Sequence, residues 1–230
     1  MRAFVLAFGL VSAICSNAAA MEDGQIFHMV RGEVDASDLD GDALLTWDGE
    51  TWFGGDYNKL WLKSEGDIVG GETETGEFQA LYSRNVAPFW DVQAGVRVDW
   101  APETTTYLAL GVQGLSPYQF ETEVTAFLSD AGDASVRLHQ RIDLLFTQRL
   151  VLEPHIELNA YAQDVEELGV GAGLSDVEAG LQLRYEVTRK FAPYVDLVIE
   201  RALGETAQRA RAEGEDVEET TLRAGLRFWF

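Results

Sequence analysis

Between residues 88 and 100 the chain reads PFWDVQAGVRVDW, and it alternates. Trp90, Val92, Ala94, Val96, Val98 and Trp100 share one parity, against Asp91, Gln93, Gly95, Arg97 and Asp99 on the other. Side chains of a strand point to opposite faces with period two. One face of this strand is therefore apolar with a tryptophan at each end, while the other carries both signs of charge. From Trp90 to Trp100 the rise is about 33 Å at roughly 3.3 Å per residue. Tilted by about 40°, such a strand spans ~25 Å, the height of the apolar band of an outer-membrane barrel. Tryptophan prefers the two membrane interfaces, so lipid on one face and a polar lumen on the other would suit this stretch.

The pattern recurs. Val136, Leu138, Ile142, Leu144 and Phe146 alternate with Arg137, His139, Arg141 and Asp143. Leu152 to Gln163, Val177 to Val187 and Tyr118 to Leu128 repeat it. Reading forward, strands are expected near 26–37, 42–53, 58–67, 73–84, 88–100, 104–114, 118–130, 134–147, 150–163, 174–188, 191–203 and 218–230. Short connections such as GGDYN, SRNVAP and TQRL alternate with longer polar ones such as DIVGGET, DWAPETT, DVEELGVGAGLSD and GETAQRARAEGEDVEE, with DAGD the exception. SRNVAPFWDV (83–92) and TRKFAPYVDL (188–197) echo one another and read as equivalent turns, with proline where a strand begins. The last strand, TTLRAGLRFWF, alternates up to a terminal phenylalanine, an end that resembles the targeting signature of bacterial outer-membrane proteins. The expected fold is all-β, a transmembrane antiparallel up-and-down β-barrel of about 12 strands. A soluble lipocalin-like barrel is the competing architecture.

The amino terminus points to export. Arg2, the apolar run Ala3 to Ile14 and the small residues SNAAA form a secretory signal, with cleavage expected after Ala20. Cys15 is the single cysteine and leaves with the signal; Ile14 before it does not suit a lipidation site. The mature chain then offers no thiolate ligand, disulfide or cysteine nucleophile. The expected division is a signal peptide at 1–20, a short segment with a first strand at 21–40, and the barrel at 41–230. After residue 20 no apolar run reaches the roughly 18 residues of a membrane helix. The net charge of −22 disfavours nucleic acid and favours cations.

From about residue 43 the chain resembles the copper resistance protein B family of outer-membrane proteins. The blocks WDGETWFGGDYNKLWLKSEG (47–66), LYSRNVAPFWDVQAGVRVD (81–99), ALGVQGLSPYQFETEVTAFL (109–128), LLFTQRLVLEPHIELNAY (144–161), GVGAGLSDVEAGLQLRYEV (169–187) and RARAEGEDVEETTLRAGLRFWF (209–230) carry the likeness. The resemblance implies a copper-tolerance role in the bacterial outer membrane, with copper ions bound, sequestered or passed. It also implies outer-membrane lipid and a periplasmic copper-handling protein as candidate partners. Family members commonly carry a long methionine- and histidine-rich segment before the barrel. Here the matching stretch is only MEDGQIFHMVRGEVDASD.

The candidate copper ligands are Met21, His28, Met29, His139 and His155, since thioether and imidazole donors suit copper(I). Met21 is equally just the first mature residue, and Phe27 with Met29 would equally form a strand's apolar parity. His139 and His155 fall on the polar parity of neighbouring strands, where stagger decides whether they meet. Their bland alternative is a hydrogen bond to a lumen carboxylate. Asp91, Asp99, Glu121, Glu123, Asp143, Glu153, Glu157, Glu178 and Glu186 share that parity with Arg97, Arg137, Arg141, Arg184, Arg223 and Arg227. Ion-pair networks that plug the lumen are expected of them, with a cation path as the alternative. WFGGDYNKLW lacks the spacing of a phosphate loop. A non-enzymatic protein is expected. A general porin or structural barrel and an outer-membrane lipid hydrolase stay open, although no serine falls at a persuasive position beside His28, His139 or His155.

Overall fold

A computed structural model describes residues 26–39 and 41–230. The expected signal segment 1–20, Cys15 and the candidate ligand Met21 lie outside the described residues. The strands are β1 (Phe27–Leu39), β2 (Asp42–Gly54), β3 (Asn58–Val69), β4 (Glu72–Ala87) and β5 (Trp90–Ala101). They continue with β6 (Thr105–Ser116), β7 (Phe120–Ser129), β8 (Ala134–Arg141), β9 (Leu144–Leu145) and β10 (Leu150–Tyr161). Last come β11 (Gly173–Tyr185), β12 (Phe191–Ala202) and β13 (Glu218–Trp229). The two-residue β9 continues β8 in the same register on β10, Arg141 facing His155 and Leu144 facing Leu152. The pair forms one stave, so the barrel has twelve.

Every stave pairs antiparallel with its sequence neighbours, and β13 returns to β1 with Arg31 opposite Trp229 and Ala36 opposite Ala224. At the seam, Val30 and Phe230 exchange two backbone hydrogen bonds of 3.0 and 2.9 Å. The terminal phenylalanine thus closes the ring. Closure leaves no unpaired edge, which a membrane requires because lipid cannot satisfy free amides and carbonyls.

The faces divide as the alternation predicts. Leu108, Leu110, Leu128, Leu181, Leu197 and Leu222 stand exposed on the outside, and Gln93, Gln79, Glu153 and Arg227 are buried within. Trp100 lies near the far end of β5 and stacks on Trp47, ring centroids 6.3 Å apart. The start of β1, the carboxyl-terminal Phe230 and the β2–β3, β4–β5, β6–β7, β9–β10 and β11–β12 turns share one rim. The other rim differs from expectation. DIVGGET does not form a long loop: Gly70 and Gly71 both take positive φ, 58° and 95°, as in a two-residue hairpin turn. Only 162–172 and 203–217 are long there. The second contains a helix that the alternation did not foretell, α1 (Gly204–Glu213), ended by Gly214 at φ 85°. Pro193 also departs from expectation, standing inside β12 rather than at its start, whereas Pro88 precedes β5.

Candidate metal-binding lumen

Inward-facing charges meet across the barrel as well as along its wall. Arg137 on β8 reaches Glu65 on β3 at 2.6 Å and Glu77 on β4 at 3.1 Å. Lys63 on β3 reaches Glu123 on β7 at 2.6 Å. Arg227 on β13 and Arg184 on β11 both grip Glu153 on β10, at 2.8 and 2.6 Å, and Arg184 also pairs with Asp143. Arg97 pairs with Glu77 at 2.9 Å and Asp99 at 2.7 Å, and its guanidinium covers the rings of Tyr107 and Phe127. Such pairs stay in a low-dielectric lumen because each charge has partners of opposite sign.

Part of this lumen is apolar. Trp61, Leu81, Tyr107, Ala109 and Phe127 form an inward cluster against which Met29 and Trp52 pack. The signal lay in the sequence: Trp52 and Trp61 sit on the polar parity of their strands, which puts an aromatic ring inside. Beside the cluster is a cavity of about 420 Å³. Met29, His139, Glu50, Glu121 and Glu123 are among the residues that line it. A thioether, an imidazole and carboxylates therefore face one space.

The candidate ligands separate accordingly. His28 and Met29 are successive residues of β1, so their side chains leave opposite faces of the sheet. Met29 turns inward, while His28 is exposed on the other face. His139 faces Glu157 across the β8–β10 pair, and His155 faces Arg141. The two imidazoles are thus diagonal neighbours, two residues apart in height. His155 does not share the cavity's lining; its Nε2 lies 3.8 Å from both Glu178 and Asp196. Among the described residues no three His, Cys, Asp or Glu side chains already converge as a metal site. Glu50, Glu65, Glu77 and Asp196 were not singled out by sequence, although each lies on an inward parity.

At the far rim, α1 is tied to the 162–172 loop. Arg209 pairs with Asp164 at 2.8 Å, and the Gly171 amide donates to Thr206 Oγ1 at 3.0 Å. The Ala172 amide donates to Asp164 Oδ1 at 2.8 Å. That hydrogen bond, with help from Arg209, holds the Asp164 carboxyl below its ordinary range.

The profile of the family described as copper resistance protein B precursor (CopB) matches residues 26–230. Copper resistance protein B of Escherichia coli is 43% identical over 213 residues, covering 92% of this chain and 72% of the relative. A copper resistance protein B homolog of Pseudomonas syringae pv. tomato is 43% identical over 204 residues, covering 88% of this chain and 69% of the relative. Among solved structures, the NanC porin aligns with a TM-score of 0.55 at 12% identity, and the KdgM porin with 0.52 at 12%. Each alignment covers 88% of this chain and 99% of the porin. At such identity the likeness shows a shared barrel fold.

Proposed function

The chain belongs to the copper resistance protein B family, and from that premise we propose that its barrel holds copper ions at the Met29–His139 cavity without catalysing a reaction. Fold and family together make it an outer-membrane β-barrel of copper resistance. The observation that carries the finer reading is that Met29 and His139, far apart in sequence, line one cavity. Thioether sulfur and imidazole nitrogen are the donors that favour copper(I), and the adjoining carboxylates of Glu50, Glu121 and Glu123 attract cations. Cross-lumen pairs such as Arg137–Glu65 and Lys63–Glu123 support retention rather than free conduction. Outer-membrane lipid surrounds the apolar face, and a periplasmic copper-handling protein would receive or deliver the ion at the rim bearing the start of β1 and Phe230.

A copper(I) competition titration on the refolded barrel tests this reading. Tight binding should be lost in Met29→Ala and in His139→Ala, and kept in His28→Ala. Binding lost only in His28→Ala, or no binding at all, would defeat it; the latter together with steady conductance would favour a general porin.

A further inference from the structure

Two neighbouring turns at the rim that carries Phe230 are built alike. In TQR (147–149) the Thr147 Oγ1 accepts from the amides of Arg149 and Leu150, at 3.2 and 2.9 Å. In TRK (188–190) the Thr188 Oγ1 accepts from the Lys190 amide at 3.2 Å. Each threonine braces its own turn, and each turn presents basic side chains to solvent. The Glu186 amide donates to the Arg149 carbonyl at 2.8 Å, and the Trp229 amide to the Lys190 carbonyl at 3.3 Å. The two turns and the end of β13 thus form one ledge. Between the turns lies a cavity of about 140 Å³, whose lining includes Arg149, Glu186, Val187, Thr188 and Arg189.

This ledge is basic on a chain of net charge −22. In the lumen, Arg97, Arg137, Arg184 and Arg227 each hold at least two carboxylates. Arg149 and Lys190, by contrast, make no ion pair among the described residues. Arg189 reaches Glu186 at 3.5 Å, but its side chain is 83% exposed, and such a pair is weak in water. Besides Glu186, the ledge carries the terminal carboxyl of Phe230, an oxygen of which accepts from the Val30 amide. Three cations against two carboxylates leave a positive surplus. Beside the ledge the outer wall is apolar, with Tyr185, Val187, Phe191 and Phe230 exposed. The Lys190 ammonium stands 5.0 Å over the Phe230 ring, at the border between the two zones.

We propose that Arg149, Arg189 and Lys190 bind the phosphate of an anionic phospholipid whose acyl chains lie on Val187, Phe191 and Phe230. Guanidinium groups match phosphate oxygens in geometry, and basic side chains at a membrane surface attract anionic headgroups. The Thr188 hydroxyl, which accepts from an amide, keeps its own proton to donate to the same phosphate. An amphiphile satisfies both zones, whereas a free anion meets only the ledge. The site is independent of the Met29–His139 cavity and shares none of its lining.

Native mass spectrometry of the refolded barrel, titrated with phosphatidylglycerol or with phosphatidylcholine, tests it. Phosphatidylglycerol should bind the tighter. Arg149→Gln combined with Lys190→Gln, both exposed turn positions, should weaken phosphatidylglycerol about tenfold or more and leave phosphatidylcholine unchanged. Arg84→Gln is the control, since Arg84 is exposed at the same rim on β4, across the ring from β11. It should change neither lipid. Equal affinity for the two lipids, or an equal loss in Arg84→Gln, would overturn the site. Displacement of the lipid by inorganic phosphate, at an ionic strength where chloride leaves it bound, would show a free-anion site and overturn the lipid assignment.

Discussion

Arg227 and Glu153 meet in a two-pronged ion pair, both contacts 2.8 Å, across the two strands that separate β13 from β10. Arg184 holds the same carboxylate at 2.6 Å, and Arg227 also reaches Glu33 at 2.8 Å. Glu153 thus lies between two guanidiniums, and all three side chains are buried. Glu153→Gln leaves those cations facing each other, and the barrel should lose about 3–5 kcal/mol. Pairing Glu153→Leu with Arg227→Met should cost less than Glu153→Gln alone. Urea unfolding in lipid vesicles measures both.

The outer face should obey depth. Leu110 lies midway along β6 and faces outward, 62% exposed. Leu110→Arg should cost about 2–4 kcal/mol in a bilayer, and Phe191→Arg, at the outward-facing first residue of β12, about 0–1 kcal/mol. Equal costs at both positions would argue against a membrane-spanning orientation.

Lys63–Glu123 and Arg141–Glu50 bridge the lumen around the cavity, at 2.6 and 3.9 Å. Lys63→Ala combined with Arg141→Ala should raise single-channel conductance in planar bilayers. It should also shift selectivity toward cations, because carboxylates remain where the bridges stood. Unchanged conductance would show that these bridges do not close the path.

At the far rim, the lowered Asp164 carboxyl predicts an acid-sensitive loop. Since its folded pKa is depressed, its contribution is present above the ordinary carboxylate range and is lost as pH falls through the folded value. Protection of the Ala172 amide against hydrogen exchange should therefore drop at acid pH. Asp164→Asn should remove that step.

Much of this architecture was legible because the side-chain period of a strand is two. The strand expected at 88–100 is observed as Trp90–Ala101, and that expected at 150–163 as Leu150–Tyr161. Parity also placed Arg137, Glu153 and Arg227 inside before any fold was known. Helix α1 leaves no mark in the period-two alternation, although ETAQRARAE is rich in helix formers and is followed by glycine. The Gly70–Gly71 turn was misjudged for a similar reason: the flanking polar residues looked like loop, yet they belong to the strands.

Which residues face the lumen was thus determined by sequence alone, since alternation needs no partner. Which of them meet was decided only by tertiary structure. Stagger between staves sets the height of each residue, and curvature brings distant staves face to face. Hence His28 and Met29, adjacent in the chain, part to opposite faces, and Met29 instead shares a cavity with His139. Glu157, Glu178, Glu200 and Glu219 form a row for the same reason. No local pattern marks them; four strands aligned by hydrogen-bond register do.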